Sequence, residues 1–165
     1  MMPDTGLPLL TLMVFILPVG AGLVWLAPDR RAARWIALLT VLIDLALAMV
    51  IVARFDHTQT GFQFVERHPW IPTLQVHYHL GVDGMSVPFL PLTGLLFTGV
   101  ILASWTRVRT LPRLYYTLLL ILQSATLGIF CALDTMLFFL FWELTLIPTF
   151  FLISLWGVGP QRRYA

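Results

Sequence analysis

The chain has 165 residues, 59% of them hydrophobic and 11% charged, with a mean hydropathy of +0.88. That composition is too apolar for an ordinary water-soluble domain and makes the bilayer its natural solvent. All ten basic residues are arginines spread between apolar runs and the formal charge is only +2, which excludes the clustered basic face that nucleic-acid binding requires.

Met1 to Gly6 carries no positive charge, so the apolar run from about Leu7 to Leu26 reads as a retained first span and not as a secretory signal. Further runs of spanning length follow, giving five predicted transmembrane helices at about 7–26, 35–52, 88–105, 115–133 and 136–156. The expected fold class is therefore all-α: a polytopic membrane helix bundle in which residues 1–165 form a single membrane domain.

Arginine placement orients the bundle. Arg30, Arg31 and Arg34 join spans one and two, Arg107, Arg109 and Arg113 join three and four, and Arg162 and Arg163 follow five. The opposite side receives only Arg54 and Arg67, so the positive-inside rule puts the N-terminus outside and Ala165 in the cytoplasm, with a bacterial inner membrane as the expected location. Trp25, Trp35, Trp105, Tyr115, Tyr116 and Trp156 all fall at the predicted cytoplasmic ends, the level that amphipathic rings prefer.

The one long extramembrane segment, 53–86, contains Leu74, Val76, Tyr78 and Leu80 alternating with Gln75, His77 and His79, a period of two that predicts a strand. Gly61 to Glu66 is aromatic and β-prone, and Arg67 to Pro72 is rich in turn-compatible residues. A small external β-hairpin with its turn at 67–72 is expected. Beyond it, Asp83 or Ser86 can cap the third span, and Asp134, between spans four and five, can cap the fifth. His77 and His79 share a strand face that could hold a metal. With no third ligand they read as surface residues, and no metal site is assigned. Cys131 lacks a disulfide or cluster partner in the sequence and reads as a packing residue.

Two acids fall inside spans. Glu143 lies about seven residues into the fifth, roughly 10 Å deep, between Trp142 and Leu144, and is expected to be buried. An ionised carboxylate there costs at least a few kcal/mol, so it must be protonated, paired with a cation or wetted, and each option makes it a candidate proton carrier. The alternative is a structural glutamate hydrogen-bonded between helices. Pro148 cannot donate to the carbonyl of Leu144, which leaves a backbone acceptor near Glu143. Asp44, in the second span, has no arginine or histidine within a helical turn. Its partner must come from another helix, with Gln123, Ser124 and Thr126 as candidates and relay or packing contact both open.

The block His79-Leu80-Gly81-Val82-Asp83-Gly84-Met85-Ser86-Val87-Pro88, with Ile101 to Trp105 closing the same span, resembles the chain M, antiporter-like subunits of NADH-quinone oxidoreductase (respiratory complex I). Asp134 to Pro148, containing Phe141-Trp142-Glu143-Leu144-Thr145-Leu146-Ile147-Pro148, and Ile153 to Gly157 resemble that family's fifth helix around its essential glutamate. The resemblance implies a proton-translocating membrane-arm subunit, with Glu143 as the proton-transfer residue. It implies no cofactor and no redox centre in this chain. NADH, FMN, iron-sulfur clusters and quinone would be held by other subunits of the complex. The implied partners are the other membrane-arm subunits, the lipid bilayer and protons. In the family the glutamate pairs with a lysine two helices later. This sequence has no lysine and matches about the first third of such a subunit, so a truncated subunit or fragment is expected. The rival readings are a subunit of a multisubunit cation/proton antiporter or membrane-bound hydrogenase, and a non-pumping structural membrane subunit.

Overall fold

The computed structural model describes residues 8–157, the side chain of Leu74 excepted, so the expectations for Met1 to Leu7 and for Arg162, Arg163 and Ala165 lie outside the described residues. Five helices are present among them: α1 (Leu9–Leu26), α2 (Arg30–Arg54), α3 (Phe89–Ser104), α4 (Pro112–Cys131) and α5 (Thr135–Trp156). Four are long and apolar enough to cross a membrane. The 16-residue α3 is apolar but shorter, about 24 Å at ~1.5 Å per residue. Between α2 and α3 lies an antiparallel pair of strands, β1 (Gln63–Ile71) and β2 (Val76–Val82).

Residues three and four apart build the interior. Leu10, Met13, Val14, Leu17, Ala21 and Val24 of α1 are buried, as are Ala33, Ala37, Val41, Asp44, Ala48 and Ile51 of α2. α1 packs between α2 and α4, α3 rests on α2 and α4, and α5 lies against α4. Close approach depends on small residues. A Cβ on Gly20 of α1 would meet the side chain of Thr40 on α2, and one on Gly128 of α4 would meet the ring of Phe141 on α5.

The arginine-bearing loops converge on one end, as the sequence predicts. Arg113 donates to the carbonyl of Pro28, and Arg30 and Arg34 donate to the carbonyls of Arg109 and Val108, each at 3.5 Å. Trp35 and Trp105 meet edge to face there, as do Tyr115 and Trp156. Tyr116 departs from the expected aromatic belt. Its side chain is fully buried, with its hydroxyl 3.5 Å from Ser104 Oγ, because its position on α4 faces the bundle and not the headgroups.

The hairpin exists, but its turn is not at 67–72. β1 continues through Arg67, His68, Pro69, Trp70 and Ile71, and the chain reverses over Pro72 to Gln75, where Gln75 takes φ 54° and its N–H reaches the Pro72 carbonyl at 3.2 Å. Pro69 is tolerated opposite His77 because a strand in a two-stranded sheet has an open edge that needs no donor. A register shift between Gln63 and Glu66 accompanies Phe64 at φ 53°.

Neither Asp83 nor Ser86 caps α3 as expected, because the N-cap position falls on Pro88, whose side chain has no acceptor. Asp83 Oδ1 instead accepts from Ser86 N at 2.7 Å while Ser86 Oγ accepts from Asp83 N at 3.0 Å, and the closed turn they make leads into α3. Those bonds hold the Asp83 carboxyl below the usual carboxylate range.

Candidate functional site

α5 carries Glu143, and the structure corrects its expected burial: the side chain is exposed. The buried residues of α5 are Leu137, Phe141 and Pro148, which define the face turned toward α4. At ~100° per residue Glu143 stands about 120–160° around the helix from each of them, pointing away from the bundle. α5 is the edge helix, and only 17% of its most apolar stretch is buried against 56% for α4. Glu143 shares its outer surface with Phe139, Leu140, Leu146, Ile147 and Phe150, all exposed. The threonines nearby serve the helix itself, Thr145 donating to the Trp142 carbonyl and Thr149 to that of Thr145, each at 2.7 Å.

The start of α5 is fixed from two directions. Asp134 Oδ1 accepts from Met136 N and Leu137 N at 2.9 and 3.3 Å, as the sequence predicts for an N-cap. Its Oδ2 accepts from the backbone of His77 in β2 at 3.1 Å. The His77 N–H is the main cause that holds the Asp134 carboxyl below its ordinary value, with the two helix N–H groups adding to it. A further backbone bond from Leu133 N to the His79 carbonyl, 2.9 Å, ties the hairpin to the α4–α5 turn. The hairpin is thus a clamp that sets the height and direction of the helix bearing Glu143.

The same hairpin clamps α1 through a residue that sequence reading missed. Glu66 of β1 accepts from Leu10 N at 2.8 Å and from Thr11 N at 3.1 Å, and its carboxylate also takes the Thr11 hydroxyl. A carboxylate at a helix N-terminus satisfies free N–H groups and favours the dipole. Tyr78 completes the cluster, its hydroxyl 2.9 Å from Thr11 Oγ1; burial pushes its phenol above the ordinary value. The separation of 56 residues between Glu66 and Leu10 left no local signal to find.

The second intramembrane acid is fully buried. Gln123 Nε2 donates to Asp44 Oδ2 at 2.7 Å, which selects one of the three expected partners. Ser124 instead donates to the Val14 carbonyl of α1 at 2.7 Å and Thr126 to the Leu122 carbonyl of its own helix at 2.8 Å. Asp44 and Glu143 are not brought together, since α2 and α5 each pack on α4 but not on each other. His77 approaches Arg67, Nε2 to guanidinium at 3.4 Å, and among the described residues no group of three or more His, Cys, Asp or Glu gathers around a common point. Cys131 is buried and unbonded to another cysteine.

No protein-family model matches the chain. Individual proteins do. The chain is 45% identical over 161 residues to NAD(P)H-quinone oxidoreductase chain 4 2 of Thermosynechococcus vestitus, covering 96% of this chain and 30% of that protein. It is 44% identical over 156 residues to chain 4 1 of Synechococcus elongatus, covering 92% and 29%. Among solved structures it superposes on respiratory complex I from Thermus thermophilus with bound NADH, with a TM-score of 0.76 and 25% identity, covering 94% of this chain and 30% of that one. An archaeal membrane-bound sulfane sulfur reductase gives a TM-score of 0.73 at 17% identity, over 90% and 23% of the two chains, a likeness of fold alone. The curated homologues of this chain are thus chain 4 subunits of NAD(P)H-quinone oxidoreductase, similar to it along nearly its whole length, and the chain spans about 30% of theirs.

Proposed function

We propose that the chain forms part of a proton-translocating membrane-arm subunit of an NAD(P)H-quinone oxidoreductase, with Glu143 as its proton-transfer residue. In this reading quinone reduction in other subunits drives the transport. NADH, FMN, iron-sulfur clusters and quinone belong to those subunits, and this chain supplies no redox centre. It lies in a bacterial inner membrane with its N-terminus outside, the arginine-rich end facing the cytoplasm.

The observation that carries the reading is the direction of Glu143. An acidic side chain on the outer face of an apolar helix is unfavourable against lipid by roughly 2.5–3.5 kcal/mol on insertion scales, so it calls for a partner that covers that face. A cation on the covering element would favour the ionised carboxylate; its withdrawal would favour proton uptake. The site then works by moving a charge past a fixed acid. The identity to chain 4 proteins supports the assignment of that covering element to the same complex.

The test is Glu143→Gln in the complete complex, reconstituted in proteoliposomes, with Glu143→Asp as the conservative control. The expected result is fewer protons moved per quinone reduced by Glu143→Gln, with assembly intact and partial recovery in Glu143→Asp. Undiminished pumping in Glu143→Gln would leave a structural subunit.

A further inference from the structure

Asp44 and Gln123 are both fully buried, and each has one oxygen that no hydrogen bond reaches, Asp44 Oδ1 and Gln123 Oε1. The single bond between them runs from Gln123 Nε2 to Asp44 Oδ2 at 2.7 Å. Both orphans are acceptors when the carboxyl is ionised, so neither can satisfy the other. Buried oxygens without partners are costly and call for a donor. A single proton on Oδ1 supplies it: the acid then presents one donor and one acceptor, and so does the amide, with the edges matched.

We propose that Asp44 is a proton-holding site, its carboxyl protonated on Oδ1 and donating to Gln123 Oε1, so that acid and amide close a two-bond pair between α2 and α4 inside the membrane.

The surroundings favour a proton over a cation as the occupant. α2 packs against α1, α3 and α4. α1 and α3 contain no charged residue, and the only charged residue of α4, Arg113, lies ten residues before Gln123 at the helix start. On α2 itself Arg34 and Arg54 each stand ten residues from Asp44, about 15 Å along the axis, with Arg30 and Arg31 farther still. The other titratable side chains on these neighbours are Tyr115, Tyr116 and Cys131 of α4, none of which is a cation. With both edges of the pair engaged, the proton is held and not relayed, and the pair fastens the two helices. This inference stands apart from the role of Glu143.

Infrared spectroscopy of the full chain in lipid nanodiscs, grown with carboxyl-13C aspartate, tests it. Besides Asp44 the label falls on Asp4, which precedes the described residues, and on Asp29, Asp56, Asp83 and Asp134, which lie outside the spans; hydrogen bonds hold the last three below the usual carboxylate range, so those three are ionised at pH 7. The expected spectrum at pH 7 contains the C=O band of one neutral aspartic acid, isotope-shifted and absent in Asp44→Asn. That variant can keep two hydrogen bonds, amide to amide, and should melt within a few degrees of the parent. Gln123→Met, which removes the donor to Oδ2, should move the band to higher frequency, a readout that does not depend on Asp44→Asn folding. A labelled spectrum with no neutral-acid band, a band that persists in Asp44→Asn, or a band unmoved in Gln123→Met would overturn the proposal.

Discussion

α4 and α5 are consecutive apolar helices of 20 and 22 residues, and they spend their polar side chains in opposite ways. α4 keeps Thr126 on its own backbone but turns Gln123 to α2 and Thr117 and Ser124 to α1, so these three fasten the bundle. α5 keeps its threonines on its own backbone and turns its one charged residue outward. Hydropathy therefore finds a span without saying what surrounds it. In a bilayer, where hydrocarbon gives helices no hydrophobic reason to associate, polar contacts mark the centre and an unspent acid marks the edge that awaits a partner.

The sharpest way to break this contrast is to remove the fastening from α4. Gln123→Leu strips Asp44 of its only donor among the described residues and should destabilise the chain by about 2–3 kcal/mol, read from denaturant unfolding in bicelles. Gly20→Val, which drives a side chain into Thr40 across α1 and α2, should cost about 1–3 kcal/mol by the same measurement.

Asp134→Ala removes the cap that clamps α5 to the hairpin and should cost about 1 kcal/mol. Its pH dependence has a definite sign. The folded carboxyl lies below its unfolded value of about 3.9, so its contribution is present above that pH and disappears as pH falls through the folded value. Unfolding of Asp134→Asn should therefore vary less with pH below about 4 than that of the parent. The smallest effect belongs to the outer face: Leu146→Ala should change the stability of the chain alone by less than about 0.5 kcal/mol, yet weaken assembly of the complete complex on a native gel.

Much of the architecture was legible from residue order. The five helices, the shared end of the arginine loops, the Asp134 cap and the short list of partners for Asp44 that contained Gln123 all followed from apolar length, charge placement and the scarcity of polar groups in hydrocarbon. The course of β1 through Pro69 was not, because turn-compatible composition cannot tell a turn from an edge strand whose unpaired side faces water. Tyr116 misled for a related reason: a ring near a helix end can serve the interface or the core, and only its position around α4 decides. Glu66 capping α1 depends on a contact 56 residues away. Glu143 was found by type and depth, but its direction was hidden, since α5 is apolar on nearly every side and its periodicity names no inner face.

The outward direction of Glu143 is tested at position 143 itself. A nitroxide attached at Glu143→Cys, compared between the chain alone in nanodiscs and the complete complex, should be mobile and accessible to lipid-dissolved oxygen in the first and immobilised and shielded in the second. A label already immobilised and shielded in the chain alone would contradict the outward-facing acid and, with it, the proposal that Glu143 meets its partner across the open face of α5.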